Sequence, residues 1–172
     1  MTNNTLIKNT TMKIKVLLLL AVAALLCHTP LQAAGNEPIK YDIASAGSGV
    51  QGTYLVKVWV YSKTGKVTDE QLKYAAVHGC IFRGFSGGQG MPSQRAIATS
   101  PTVEQDHADY FKAFFEDENT YLQYASVVGA SYERVKLQKK GYKVGAVVQV
   151  NKDQLRRDLE KAGIVKGLSS GF

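Results

Sequence analysis

Four side chains in this sequence have the chemistry to act on a bound molecule: His78, Cys80, Ser86 and His107. Ser86 lies in Gly84-Phe85-Ser86-Gly87-Gly88, which fits the G-x-S-x-G of a nucleophile elbow. An elbow needs a strand before the serine and a helix after it, so that the hydroxyl stands clear on a sharp turn. Here a helical pattern precedes Ser86, and Gly88-Gln89-Gly90-Met91-Pro92 stands where the helix is expected. His107 is the only histidine after Ser86, and Asp106 beside it cannot orient the ring on a helix. Cys80 would need a cation to hold its thiolate, and Arg83, three residues on, is the nearby candidate. A buried, inert thiol is the simpler reading. A small periplasmic hydrolase using Ser86 or Cys80 with His107 is therefore the alternative here, and a protein without catalytic residues is preferred.

Other motif matches fail on context. Gly47-Ser48-Gly49-Val50-Gln51-Gly52 fits G-x-G-x-x-G, but that fingerprint requires a helix N-terminus next to hold a pyrophosphate. Thr53 to Ser62 follows instead, alternating with period two, so a hairpin loop is expected. His78 and Cys80 stand two apart and diverge on a helix, while Glu104 and His107 share a face without a third ligand. Glu116-Asp117-Glu118 lacks the spacing of a calcium loop. No cofactor-binding or metal-binding residues are assigned. His78, between Tyr74 and Phe82 at i±4, reads as a hydrogen-bonded core histidine, and the aromatics from Tyr110 to Tyr124 recur at the spacing of a core. Arg134, Lys136, Lys139, Lys140 and Lys143 cluster at a hairpin tip, the best candidate for contact with an anionic surface such as lipid headgroups or polysaccharide.

The element that must position these groups is Thr68 to Phe85. Thr68 and Gln71 have capping-box spacing, and Asp69 and Glu70 suit the positive end of the helix dipole. Leu72, Ala75, Ala76 and Gly79 form one face for close packing; Tyr74, His78, Ile81 and Phe82 form a second. A helix apolar on nearly all sides is expected in the middle of a domain. Gly79 could end it and leave 80–85 as a strand; continued helix is favoured. Ile39 to Ala46 and Thr53 to Ser62 read as strands, the second central, with Gln94 to Thr99 a further short one. Ser100-Pro101 starts a helix, and Tyr121, Tyr124, Ala125 and Val128 continue helical spacing after a break at 116–119. Tyr132 to Lys139 and Lys143 to Val150 form a hairpin, and Asn151 caps a last helix with Leu155, Leu159 and Ala162 inward and Gly163 at its end. The order β-β-α-(β)-α-β-β-α predicts an α+β fold, a mainly antiparallel sheet with helices on one face.

Lys13 and Lys15 precede an apolar run from Val16 to Cys27, with Ala33 and Ala34 after it, the pattern of a secretory signal. The run is too short to span a bilayer, which takes about 20 residues. Cleavage is expected near Ala34, leaving 34–172 as one domain, with acylation at Cys27 the competing route. Removing 1–33 takes away Lys8, Lys13 and Lys15 and no acidic residue, so the net charge falls from +7 to +4. That weakens a nucleic-acid reading. Only Cys80 then remains, which excludes an internal disulfide.

With the leader, the helix ending AAVHGCIFRGF and the stretch GYKVGAVVQVNKDQLRRDLEKAG resemble secreted envelope proteins of Gram-negative bacteria. The order of elements is also similar to the small α/β domain of curli-secretion-type envelope lipoproteins. That resemblance implies envelope assembly or surface-structure work without an enzymatic site. The expectation is an exported binding or assembly component, periplasmic or secreted with outer-membrane association. Its partner would be an envelope protein or an anionic surface.

Overall fold

The computed structural model describes residues 38–138 and 141–167. Its centre is a four-stranded antiparallel sheet in the order β1-β2-β4-β3, built from β1 (Tyr41–Ser45), β2 (Tyr54–Ser62), β3 (Ala125–Lys136) and β4 (Tyr142–Val150). The expected leader (1–33), with Cys27, lies outside the described residues. So do Lys139 and Lys140.

Strand β2 is central because both its faces carry residues suited to a sheet, and its register shows which face is inside. Val56, Val58 and Val60 lie opposite Val148, Ala146 and Val144 of β4 and are almost completely buried. Tyr41, Ile43 and Ser45 of β1 continue that inner row. Against it lies α1 (Asp69–His78), which runs on through one wider π turn, Gly79–Arg83, before Gly84 ends it at φ +66°. The capping box forms: the Gln71 amide donates to Thr68 Oγ1 at 3.3 Å, and the Thr68 amide donates to Gln71 Oε1 at 3.1 Å. Leu72, Ala75, Ala76 and Val77 have no exposed surface, and Gly79 is buried too.

A third layer covers the far side of α1. Two short helices, α2 (Val103–Asp106) and α3 (Ala108–Lys112), lead into a π turn at Ala113–Asp117 and a 3-10 turn at Thr120–Tyr124. Together they bring Phe111, Phe114, Phe115, Tyr121 and Tyr124 into the core, each at most 8% exposed. Helix α4 (Lys152–Lys161) closes one end. Asn151 caps it, Leu155 and Leu159 are fully buried, and Gly163 at φ +74° ends it. The amides of Gly163 and Ile164 donate back to Glu160 and Leu159, a Schellman close that folds Ile164 onto the core. Ala162, expected inside, is exposed because this close begins there.

Two further expectations are corrected. Residues 94–99 are no strand: only Gln94 bridges, to Phe85. The amides of Ile97 and Ala98 instead donate to the carbonyls of Cys80 and Ile81, at 3.0 and 2.9 Å. Helix ends leave such carbonyls open, and this segment satisfies them. Ala125 and Val128 are strand, not helix. Asn119 takes the left-handed conformation at φ +52°, stopping the helical run, and Ala125–Val128 then pair with Val150–Val147 of β4.

Gly79 is where α1 rests on β1. A Cβ there would stand 2.9 Å from Ile43 Cδ1 and 3.3 Å from Tyr41 Cε2. Gly79→Val is expected to lower stability in urea denaturation by about 1–3 kcal/mol, the usual cost of overpacking, against a helix-propensity gain of about 0.5 kcal/mol. An unchanged or raised midpoint would place the contact elsewhere.

Candidate functional site

The residues with catalytic chemistry are not brought together. Cys80 is 1% exposed, and burial pushes its thiol up to about 12, so no thiolate is available at neutral pH. Ser86 is exposed just beyond α1, where its carbonyl accepts the Ser45 amide at 2.9 Å. Among the described residues, neither Ser86 Oγ nor Cys80 Sγ hydrogen-bonds a histidine. The loop Gly47–Gly52 joins β1 to β2, with no helix after it. With Phe85, Met91, Gln94 and Lys152 it lines an open cleft of about 410 Å³, which contains no histidine and no carboxylate. No group of three metal-ligating side chains occurs among the described residues.

His78 does have partners, though not those of a hydrolase. Tyr41 Oη lies 2.7 Å from His78 Nδ1, and Glu104 Oε1 lies 3.2 Å from Nε2. Burial, opposed by Arg83, pushes the Tyr41 hydroxyl up to about 12, so it stays protonated and donates. Nδ1 must then accept, which leaves the ring proton on Nε2, directed at Glu104. Tyr74 stacks on one side of the ring at 5.3 Å and Phe82 meets it edge-on at 4.8 Å. The relay ties β1, α1 and α2 together. Glu104, which shares a helical face with His107 in the sequence, is thus engaged by His78.

The outer face of the sheet is the second feature. Alternation turns Leu55, Lys57, Trp59 and Tyr61 of β2 away from α1, beside Gln149, Val147, Gly145 and Lys143 of β4. No described element covers them. Trp59 lies across Gly145: a Cβ on that glycine would meet Trp59 Cε3 at 2.5 Å and Cδ2 at 2.6 Å. The indole therefore spreads along the sheet. Lys57 and Lys143 place their ammonium groups 4.9 and 5.2 Å from its centre, and Lys40 stands 5.3 Å from the Tyr61 ring. Lys143 also pairs with Asp42 at 2.6 Å, which holds that carboxyl below its ordinary range, and Lys57 pairs with Glu133 at 2.5 Å.

This placement divides the basic residues of the hairpin. Lys143 is on the outer face beside Trp59, whereas Arg134 and Lys136 alternate to the other side of β3, both exposed. Sequence reasoning passed over Trp59, because Gly145 becomes its seat only once the β2–β4 register is set. Pairing of a lone tryptophan with a strand glycine was the available signal. Comparison with protein families, with curated proteins and with solved structures found no match.

Protonation of His78 would disturb its relay, and burial holds its pKa below the ordinary 6.5 despite Glu104, with Arg83 acting in the same direction as burial. The unfolded chain then binds the proton first. Stability should be full above about pH 6.5 and fall as pH drops below that value toward the folded pKa. The Asp42 contribution is lost only at lower pH, below its ordinary 3.8. Denaturation midpoints from about pH 8 to about pH 5 should show the decline, and His78→Gln should flatten it. A slope unchanged in His78→Gln would assign the effect to other groups.

Proposed function

We propose that this protein is an exported, non-enzymatic binding component of the bacterial cell envelope, and that it binds through the outer face of its sheet. The observation that carries this reading is Trp59 spread over Gly145 with the ammonium groups of Lys57 and Lys143 over its ring. A flat aromatic on a rigid sheet offers a stacking surface at low entropic cost, since the strand already holds its backbone. The lysines add attraction for negative charge around it. The carboxylates they pair with are exposed, Glu133 and Asp42 at 64% and 51%, while the lysines lie mostly along the sheet. Pairs open to water on one side are worth about 0–1 kcal/mol, so an incoming anion can replace the carboxylates.

An anionic polysaccharide suits this surface better than a lipid headgroup. A sugar ring is flat enough to lie on the indole while its carboxylates reach Lys57, Lys143 and Lys40. A membrane would favour apolar side chains projecting past the rim, and here the apolar ring lies along the strands. The leader-like start and the resemblance to secreted envelope proteins support the compartment.

Trp59 is the sole tryptophan, so its fluorescence reports directly on the surface. Polygalacturonate should shift that fluorescence saturably, neutral dextran should not, and added salt should weaken the effect. Truncating a central aromatic anchor typically costs about 2 kcal/mol, so Trp59→Ala should lose about 30-fold in affinity by calorimetry. Lys143→Glu should weaken binding as well. Ser86→Ala and Cys80→Ala should leave binding and the cellular phenotype intact. A phenotype lost in either of these, in protein that still folds, would favour the hydrolase instead.

A further inference from the structure

On the opposite side of the molecule, the outer helical layer bears a second, open pocket of about 330 Å³. Its floor is aromatic, made by Tyr74, Phe111 and Phe115; Tyr74 meets Phe115 edge-on at 4.9 Å and Phe111 stacks on Phe115 at 6.2 Å. Its rim is acidic, with Glu104 from α2, Asp109 from α3 and Glu116 from the following π turn, all exposed. The one cation on the rim, Lys112, is held by both carboxylate oxygens of Asp117, at 2.7 and 2.8 Å. Among the described residues, Asp109 and Glu116 have no ion-pair partner. The negative field reaches the floor: besides burial, Glu104 and Glu116 both push the Tyr74 hydroxyl up, to about 12.

Aromatic side chains under a rim on which Asp109 and Glu116 lack an ion-pair partner among the described residues and Glu104 is shared with His78 favour an organic cation. The pocket is too apolar at its base for a hydrated metal ion, and its rim repels anions. Glu104, Glu116 and Tyr74 all line it and carry oxygen acceptors, which suit the three N–H donors of a primary ammonium group; a quaternary ammonium has none to offer. We propose that this pocket binds a primary alkylammonium group, methylenes against the rings and nitrogen among the carboxylates. The group belongs either to a free small amine or to the side chain of a lysine on a protein partner. This site is independent of the sheet face.

The test is a titration with n-butylammonium, followed by the ring resonances of His78, which touches both Glu104 and Tyr74. A saturable shift is expected, absent with 1-butanol and much weaker with tetramethylammonium. Hydrogen bonds to charged groups predict a loss of about tenfold or more in Glu116→Gln and in Glu104→Gln, two changes that keep side-chain shape. Trp59→Ala should leave amine binding unchanged, so failure of the sheet-face reading would not be mistaken for failure of this one. A Gly-Lys-Gly tripeptide with blocked ends separates the sources: binding at least as tight as n-butylammonium assigns a lysine side chain, and no binding assigns a free amine. Equal binding of 1-butanol, unchanged affinity in Glu116→Gln, or no saturable shift would each overturn the proposal.

Discussion

The constraint on which this fold depends is that α1, beyond its exposed first turn, is packed on two broad sides. One side must approach the sheet closely, which only small residues permit, and Ala75, Ala76 and Gly79 supply that contact. The other side stands away from the sheet and is broad, and large rings fill it. Tyr74, His78 and Phe82 interlock there with Phe111 and Phe115. The third layer follows from this. Without it, the rings on α1 would face solvent, and an exposed apolar patch of that kind favours association between molecules. The same burial explains the detour at 94–98. A helix that ends inside a protein must have its last carbonyls satisfied, and the amides of Ile97 and Ala98 reach two of them.

A polar group placed at such a junction must also be completely paired. His78 is the test of this rule, lying where β1, α1 and α2 meet. Its two nitrogens need one donor and one acceptor, and Tyr41 and Glu104 are one of each. No buried side-chain nitrogen or oxygen among the described residues lacks a partner. The interior is thus both tightly packed and electrostatically closed. The same burial fixes the state of a reactive group placed inside. Cys80, with its pKa raised by burial and no cation against it, shows the consequence most plainly.

What could be read from the sequence was whatever local periodicity decides. The alternation of Tyr54 to Ser62, the capping box at Thr68 and Gln71, and the cap and stop of the last helix each depend on neighbours a few residues away. The α+β class and the placement of helices on one face followed from their order. Residues 94–99 and 125–128 were misread for a shared reason. Their local patterns fit more than one state, and partners remote in sequence settle them: Cys80 and Ile81 for the first, Val147 to Val150 for the second. The functional surfaces obey the same rule. Trp59 acquires its seat from a residue 86 positions later, Gly145, and Glu104 reaches His78 across 26. Spacing within one segment carries no trace of either.

The layered plan also divides the outer surface by charge. A sheet covered on one side must leave its other face to solvent, and β2 and β4 meet that exposure with lysines over aromatic rings. The outer helical layer meets it with carboxylates, since Glu104, Asp109 and Glu116 occupy the exposed positions between buried phenylalanines. Aromatic surface is common to both sides, while the sign of the neighbouring charge differs. Rings attract cations through their faces and tolerate sugars by stacking, so the adjacent charge decides which partner each side favours. The sheet face, with Lys57 and Lys143 already drawing on the indole, is satisfied as a cation–π surface, and on the proposed reading it takes an anion. The helical face has mostly buried rings beside Asp109 and Glu116, which lack an ion-pair partner among the described residues, and on the proposed reading it takes a cation. Two partners of opposite charge could therefore be held at once, on opposite sides of α1, without competing for a residue.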